Sequence, residues 1–171
     1  ELFSFNQLGN HHQHLALPDV GDLLMVVLHQ DRAVPQGVEL AGYGNLKSAR
    51  EVKTALDDAR LQVCGGHWII EQLETDLPRI LDENDLLANK TIVCPWMPED
   101  RRKDADGWKQ SADALTKIGA ACNKRGFTFC YHHHSFEFKR FDGKTGMDIL
   151  IERADPKLLR LEIDTYWVAH G

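Results

Sequence analysis

The chain has 171 residues, 43% hydrophobic and 27% charged, which suits one domain with a sizeable core. Its net charge of −6 argues against a nucleic-acid surface, which would carry a basic patch. The longest apolar run, at 23–28, is far too short to cross a bilayer, and no secretory signal is visible, so a cytoplasmic protein without a membrane partner is expected.

Residues 1–36 are the least regular part. A short strand fits 2–5, and 23–28 reads equally as a buried strand or one helix face. His11, His12 and His14 form a histidine-rich tract whose plain reading is an exposed polar turn. From residue 37 the pattern becomes regular. Gly37–Leu40 reads as a strand, and Ser48 with Glu51 as a capping box opening a helix with Val52, Leu56 and Ala59 on its buried stripe. A strand at 61–64 ends in Gly65-Gly66, and one longer helix is expected within 69–89. Thr91–Cys94 is the next strand, followed by a charged loop and a helix from about Gly107 to Lys124 that Gly126 stops. A strand at 127–134 leads to a second capping box at Thr145 and Asp148, a helix ending near Pro156, and a strand at 159–164. Cys64, Cys94, Cys122 and Cys130 lie far apart with no C-x-x-C pair, and read as free thiols, mostly buried.

Strand and helix alternate at the spacing of βα units. In the last two strands, one face is bulky and apolar while the other carries Cys130, His132 and His134, or Arg160, Glu162 and Asp164. A doubly wound sheet needs both faces apolar, whereas a parallel barrel accepts a polar lumen. The expected fold is therefore an α/β (β/α)8 TIM barrel with about six of eight units present, a single partial domain over 1–171 in which 1–36 poorly matches a first unit. In a complete barrel two units would separate strand 159–164 from the N-terminal strand, so these two are not expected to pair. An open barrel also exposes strand edges, which leaves homo-oligomers open.

Three segments carry a family resemblance: Gly37-Val38-Glu39-Leu40-Ala41-Gly42, Tyr131-His132-His133-His134-Ser135-Phe136-Glu137-Phe138 and Glu162-Ile163-Asp164-Thr165-Tyr166-Trp167. Together, over 37–171, the chain resembles the sugar phosphate isomerase/epimerase group of xylose isomerase-like TIM barrels, which includes inosose dehydratases, hydroxypyruvate isomerases and ketose 3-epimerases. The resemblance implies a divalent metal (manganese, magnesium, cobalt or zinc) at the C-terminal mouth of the barrel. Asp164 maps onto a ligand position, His132 aligns with another, and Glu137 lies a few residues past it. It also implies an isomerase, epimerase or dehydratase acting on a small sugar or polyol carbonyl compound through an enediolate.

For that chemistry Glu39, His132, His134 and Glu137 are the candidate acid/base groups, Asp164, His132 and Glu137 the candidate metal ligands, and His67, Trp68, Trp96 and Trp167 the candidate pocket walls. His133 is expected to face the helix layer, and Glu162 and Arg160 to form a bonded polar layer deeper in the lumen. A reading of another class, an incomplete or non-catalytic barrel fragment with a structural or binding role, stands beside this one.

Overall fold

The computed structural model describes residues 4–5, 25–28 and 37–171, the first two stretches as backbone only. The histidine tract and most of 1–36 lie outside the described residues. The strands are β1 (Ser4–Phe5), β2 (Met25–Leu28), β3 (Gly37–Leu40), β4 (Gln62–His67), β5 (Thr91–Cys94), β6 (Thr128–His132), β7 (Arg140–Phe141), β8 (Lys144–Thr145) and β9 (Arg160–Asp164). The helices are α1 (Ala49–Asp58), α2 (Ile70–Thr75), α3 (Leu77–Leu86), α4 (Ala105–Lys124), α5 (Gly146–Arg153) and α6 (Thr165–His170).

Seven strands make one sheet in the order β1-β9-β6-β5-β4-β3-β2, and β7 with β8 forms a separate hairpin. Within the large sheet β3, β4, β5, β6 and β9 run parallel in chain order, each neighbour reached through a helical crossover. This is half of a TIM barrel, the α/β architecture that the one-sided polarity of the strands predicts. Two departures lie at its edges. β2 joins β3 antiparallel, and β1 pairs in parallel with β9, Ser4 opposite Ile163 and Phe5 opposite Asp164. The expectation that the first and last strands stay apart is thus corrected. The free edge of β9 offers unpaired N–H and C=O groups, and β1 takes them.

The crossovers follow local chemistry. Ser48 Oγ accepts from the Glu51 N–H at the start of α1, while Glu51 reaches back to the N–H of Lys47, one residue beyond the position expected of a capping box. The single helix expected within 69–89 is two, α2 and α3. Asp76 leaves helical geometry between them, and Pro78, which has no N–H to give the preceding turn, sits in the first turn of α3. Asp104 caps α4 by accepting from Gly107, which starts that helix two residues before the expected position. Thr145 and Asp148 form a full reciprocal box at α5. α6 was not legible at all. Its cap is Asp164 itself, whose carboxylate accepts from the Tyr166 N–H.

Two apolar clusters hold the helices to the sheet. Val38 and Leu40 of β3 pack with Ala49, Val52 and Leu56 of α1. Ile92 and Cys94 of β5 and Phe129 and Tyr131 of β6 pack with Trp108, Leu115 and Ile118 of α4 and Leu150 of α5. The alternate residues of the same strands, Glu39 and His132, point to the other face, so each strand anchors a helix with one set of side chains and furnishes the lumen with the other. All four cysteines are free, and burial pushes each thiol up to about 12.

Candidate active site

Four strands deliver ionisable side chains to one place on the lumen face. β3 contributes Glu39, β4 His67, β6 His132, and β9 Glu162 and Asp164. His67 Nε2 lies 3.0 Å from Glu39 Oε1 and 3.8 Å from Glu162 Oε1. On the other side of Glu162, His132 Nδ1 is 2.7 Å from the same Oε1, and His132 Nε2 is 4.0 Å from Asp164 Oδ2. Carboxylate and imidazole therefore alternate along a chain of five groups. In the register, His132 stands opposite Glu162 on the neighbouring strand, which is why those two meet.

His67 reaches this face through an irregularity. Val38 pairs with Val63, but Glu39 pairs with Gly65, so Cys64 is an extra residue in β4. Strict alternation would keep Val63, Gly65 and His67 on one face. Val63 packs into the cluster under α1, and the bulge after it turns Gly65 and His67 over to the lumen. Cys64 Sγ donates to the Val38 carbonyl at 3.2 Å, tying the bulge to β3. At Gly65 a Cβ would stand 2.8 Å from Glu39 Oε1, so the bare glycine is what leaves room for the carboxylate.

The electrostatics follow from burial and these contacts. Burial raises the Glu39 carboxyl, the His67 bond offsets part of this, and the nearby Glu162 charge adds to the rise. Burial also opposes charge on Glu162, but the bonds to His132 and His67 outweigh it and hold the carboxyl below its ordinary range. Burial would lower His67 too. Its bonds to Glu162 and Glu39 prevail and push it up to about 9. The centre at neutral pH thus holds an imidazolium between an ionised carboxylate and a second carboxyl poised nearer to protonation.

His134 is beside this chain without being bonded into it. Its ring is 5.1 Å from His132, 5.1 Å from Trp167 and 5.4 Å from Phe136, and its buried Nδ1 has no hydrogen-bond partner among the described residues. Burial first, then repulsion from His132 and His133, lowers it to about 4. Trp68 lines a small cavity next to His67, together with Leu40, Tyr43 and Gly66. Trp96 is exposed.

Glu137, a candidate ligand and base, has a fully buried carboxylate, with Oε1 accepting from the Tyr131 hydroxyl at 2.7 Å and Oε2 from the His134 N–H at 2.8 Å. Both oxygens are used in tying the loop after β6 to the core. Arg160, expected in a deep bonded layer, is exposed. Glu162, expected in the same layer, is buried and bonded as expected, and it also lies at the centre of the cluster, on the parity it shares with Asp164. His133 takes no part in the cluster and is buried beside Phe138.

The donor set also fits a metal. One ligand atom each from His67, His132 and Glu162 lies within 4.8 Å of the others, the only such group of three among the described residues. Two imidazole nitrogens and a carboxylate oxygen at that separation suit a divalent transition ion. Asp164 is the adjacent oxygen donor.

No family model matches the sequence, and no curated protein matches it. Solved structures do. A sugar phosphate isomerase/epimerase from Parabacteroides distasonis superposes with a TM-score of 0.67 at 22% identity, over 77% of this chain and 52% of that one. A second from the same organism gives 0.64 at 22% identity, over 79% and 60%. A fusion of a xylose isomerase-like TIM barrel with a 4-hydroxyphenylpyruvate dioxygenase gives 0.50 at 18% identity, over 73% and 22%. The chain spans 52% and 60% of the length of the first two. What it shares with them at these identities is the fold, an α/β barrel of the TIM type.

Proposed function

We propose that the chain belongs to an isomerase or epimerase that moves a proton beside the carbonyl of a small sugar or polyol derivative. The observation that carries this is the alternating chain Glu39–His67–Glu162–His132–Asp164, gathered from four strands at the C-terminal side of a half-barrel. That is the end of this fold where chemistry resides. An ion-pair network that only stabilised the sheet would have no need to bury so many ionisable groups.

Glu39 is the proton carrier in this reading. Burial raises its carboxyl above the ordinary carboxylate range, which makes it a stronger base toward a proton on carbon than an exposed carboxylate. His67, bonded to Glu39 across 3.0 Å, orients that carboxyl. His132 holds Glu162 in place through Nδ1 and keeps Nε2 toward Asp164. His67, His132 and Glu162, with Asp164 adjacent, would hold a divalent ion, and such an ion supplies Lewis-acid polarisation of the carbonyl and hydroxyl oxygens. With two imidazoles among the donors, zinc or cobalt fits better than manganese or magnesium, which favour oxygen donors. His134, Trp167 and Trp68 are the proposed walls of the pocket, with Trp96 at its rim. Dehydration begins with the same proton removal, and the product separates it from isomerisation.

The test is to incubate the protein with manganese, cobalt, zinc or magnesium and a panel of ketoses, aldoses, inososes and their phosphates, resolving products chromatographically. An isomeric product that depends on Glu39 and Glu162 supports the reading. No conversion of any compound with any of the four metals contradicts it.

A further inference from the structure

The ladder between β6 and β9 ends at the pair His132–Glu162. One residue further, a side chain continues the connection. The Asp164 N–H donates to His133 Nε2 across 3.3 Å, and His133 Nδ1 lies 3.0 Å from the His134 carbonyl oxygen. Together these contacts define the tautomer: Nε2 keeps its lone pair to accept, so the proton is on Nδ1 and is donated to the carbonyl. The ring is fully buried, with the edge of Phe138 against it at 5.6 Å, so it cannot touch a substrate.

Asp164 is then held at two points. His133 fixes its main chain, and its Oδ1 accepts from the Tyr166 N–H at 2.8 Å. The remaining oxygen, Oδ2, is the one that lies 4.0 Å from His132 Nε2. The geometry points to His133 as a positioning residue that holds the end of β9 so that the Asp164 carboxylate stays against the His132 imidazole. What that alignment serves rests on the proton-transfer reading above. The alignment itself does not.

Two amide substitutions separate the two bonds of the ring. In His133→Gln, Oε1 reaches the position of Nε2 and can accept from Asp164. In His133→Asn, the shorter amide reaches the His134 carbonyl and leaves the Asp164 N–H without a partner. Hydrogen exchange at the Asp164 amide is measured in both variants and in the wild-type protein, with kcat and KM for whichever sugar the wild type converts. His133→Asn is expected to exchange about tenfold faster at Asp164, the equivalent of one net hydrogen bond. Its kcat is expected to fall up to about 10²-fold with KM little changed, as a misplacement of about 1 Å produces. His133→Gln restores both. Unchanged protection of Asp164 in His133→Asn, or a Gln variant no better than the Asn one, overturns the inference. If the wild type converts no sugar, the proton-transfer reading falls, and the amide exchange alone decides whether His133 holds Asp164.

Discussion

His67 and Glu39 share a hydrogen bond of 3.0 Å across the lumen face, although Gly65 and a bulge at Cys64 are needed to bring them together. The contact couples a group from β3 to one from β4 and, through Glu162, to the far strands. Most of the site's behaviour with pH follows from it.

In the metal-free protein the contributions of His67 and His134 to stability should together be greatest near pH 6.5. The His67 imidazole is raised from 6.5 to about 9, so its contribution is complete below 6.5 and is lost as pH rises through 9. His134 is lowered from 6.5 to about 4, so the unfolded chain takes up its proton first and stability falls as pH drops from 6.5 toward 4. Urea midpoints across pH 4 to 10 check this. His67→Gln should flatten the alkaline arm and His134→Gln the acid arm, and a curve that neither variant changes would exclude the assignment.

Metal binding should release a proton near neutral pH. A ligating imidazole must be neutral, while His67 at about 9 is charged at pH 7. Calorimetry with cobalt in buffers of different ionisation enthalpy reads the proton count directly. About one proton is expected at pH 7 and fewer above pH 9, with affinity rising between. Binding without proton release would place the ion elsewhere.

Much of this arrangement was legible in the sequence. The contrast between Tyr131, packed under α4, and His132, bonded to Glu162, is simple strand alternation. What alternation could not show was any residue placed by a departure from it. A strand read as ending at Cys64 gives no hint that one extra residue reverses the parity of His67. Nor could alternation show where a loop residue goes: Glu137, a few residues past His132, has its carboxylate turned onto the Tyr131 hydroxyl. The α2–α3 break was visible in Pro78, whose missing N–H outweighs the continuous apolar spacing around it.

Gly65→Ala should disable the site while leaving the fold. The added Cβ would stand 2.8 Å from Glu39 Oε1, the far end of a flexible side chain, so the carboxylate moves and its His67 bond is lost. NMR titration of the His67 ring should then show a lower pKa than in the wild type. An unaltered titration would mean that Glu39 does not depend on this glycine.

Gly119→Ala tests the packing of α4 and should act in the opposite way. There the Cβ would meet the main-chain oxygen of Leu158 at 2.1 Å, and main chain cannot swing aside. Overpacking of this kind costs about 1–3 kcal/mol, measurable as a lower urea midpoint. A variant as stable as the wild type would show that α4 has slack against the segment before β9.

The central claim is that the buried carboxyl of Glu39 moves a proton to and from carbon. Its most direct test follows solvent deuterium into the position beside the carbonyl of a converted sugar, in the wild type and in Glu39→Gln, with unfolding free energies measured for both. The expected result is stereospecific incorporation by the wild type and a rate lower by about 10²- to 10⁴-fold in the variant, the usual worth of a positioned acid–base group, without loss of stability. Equal incorporation rates in the two proteins would contradict the account.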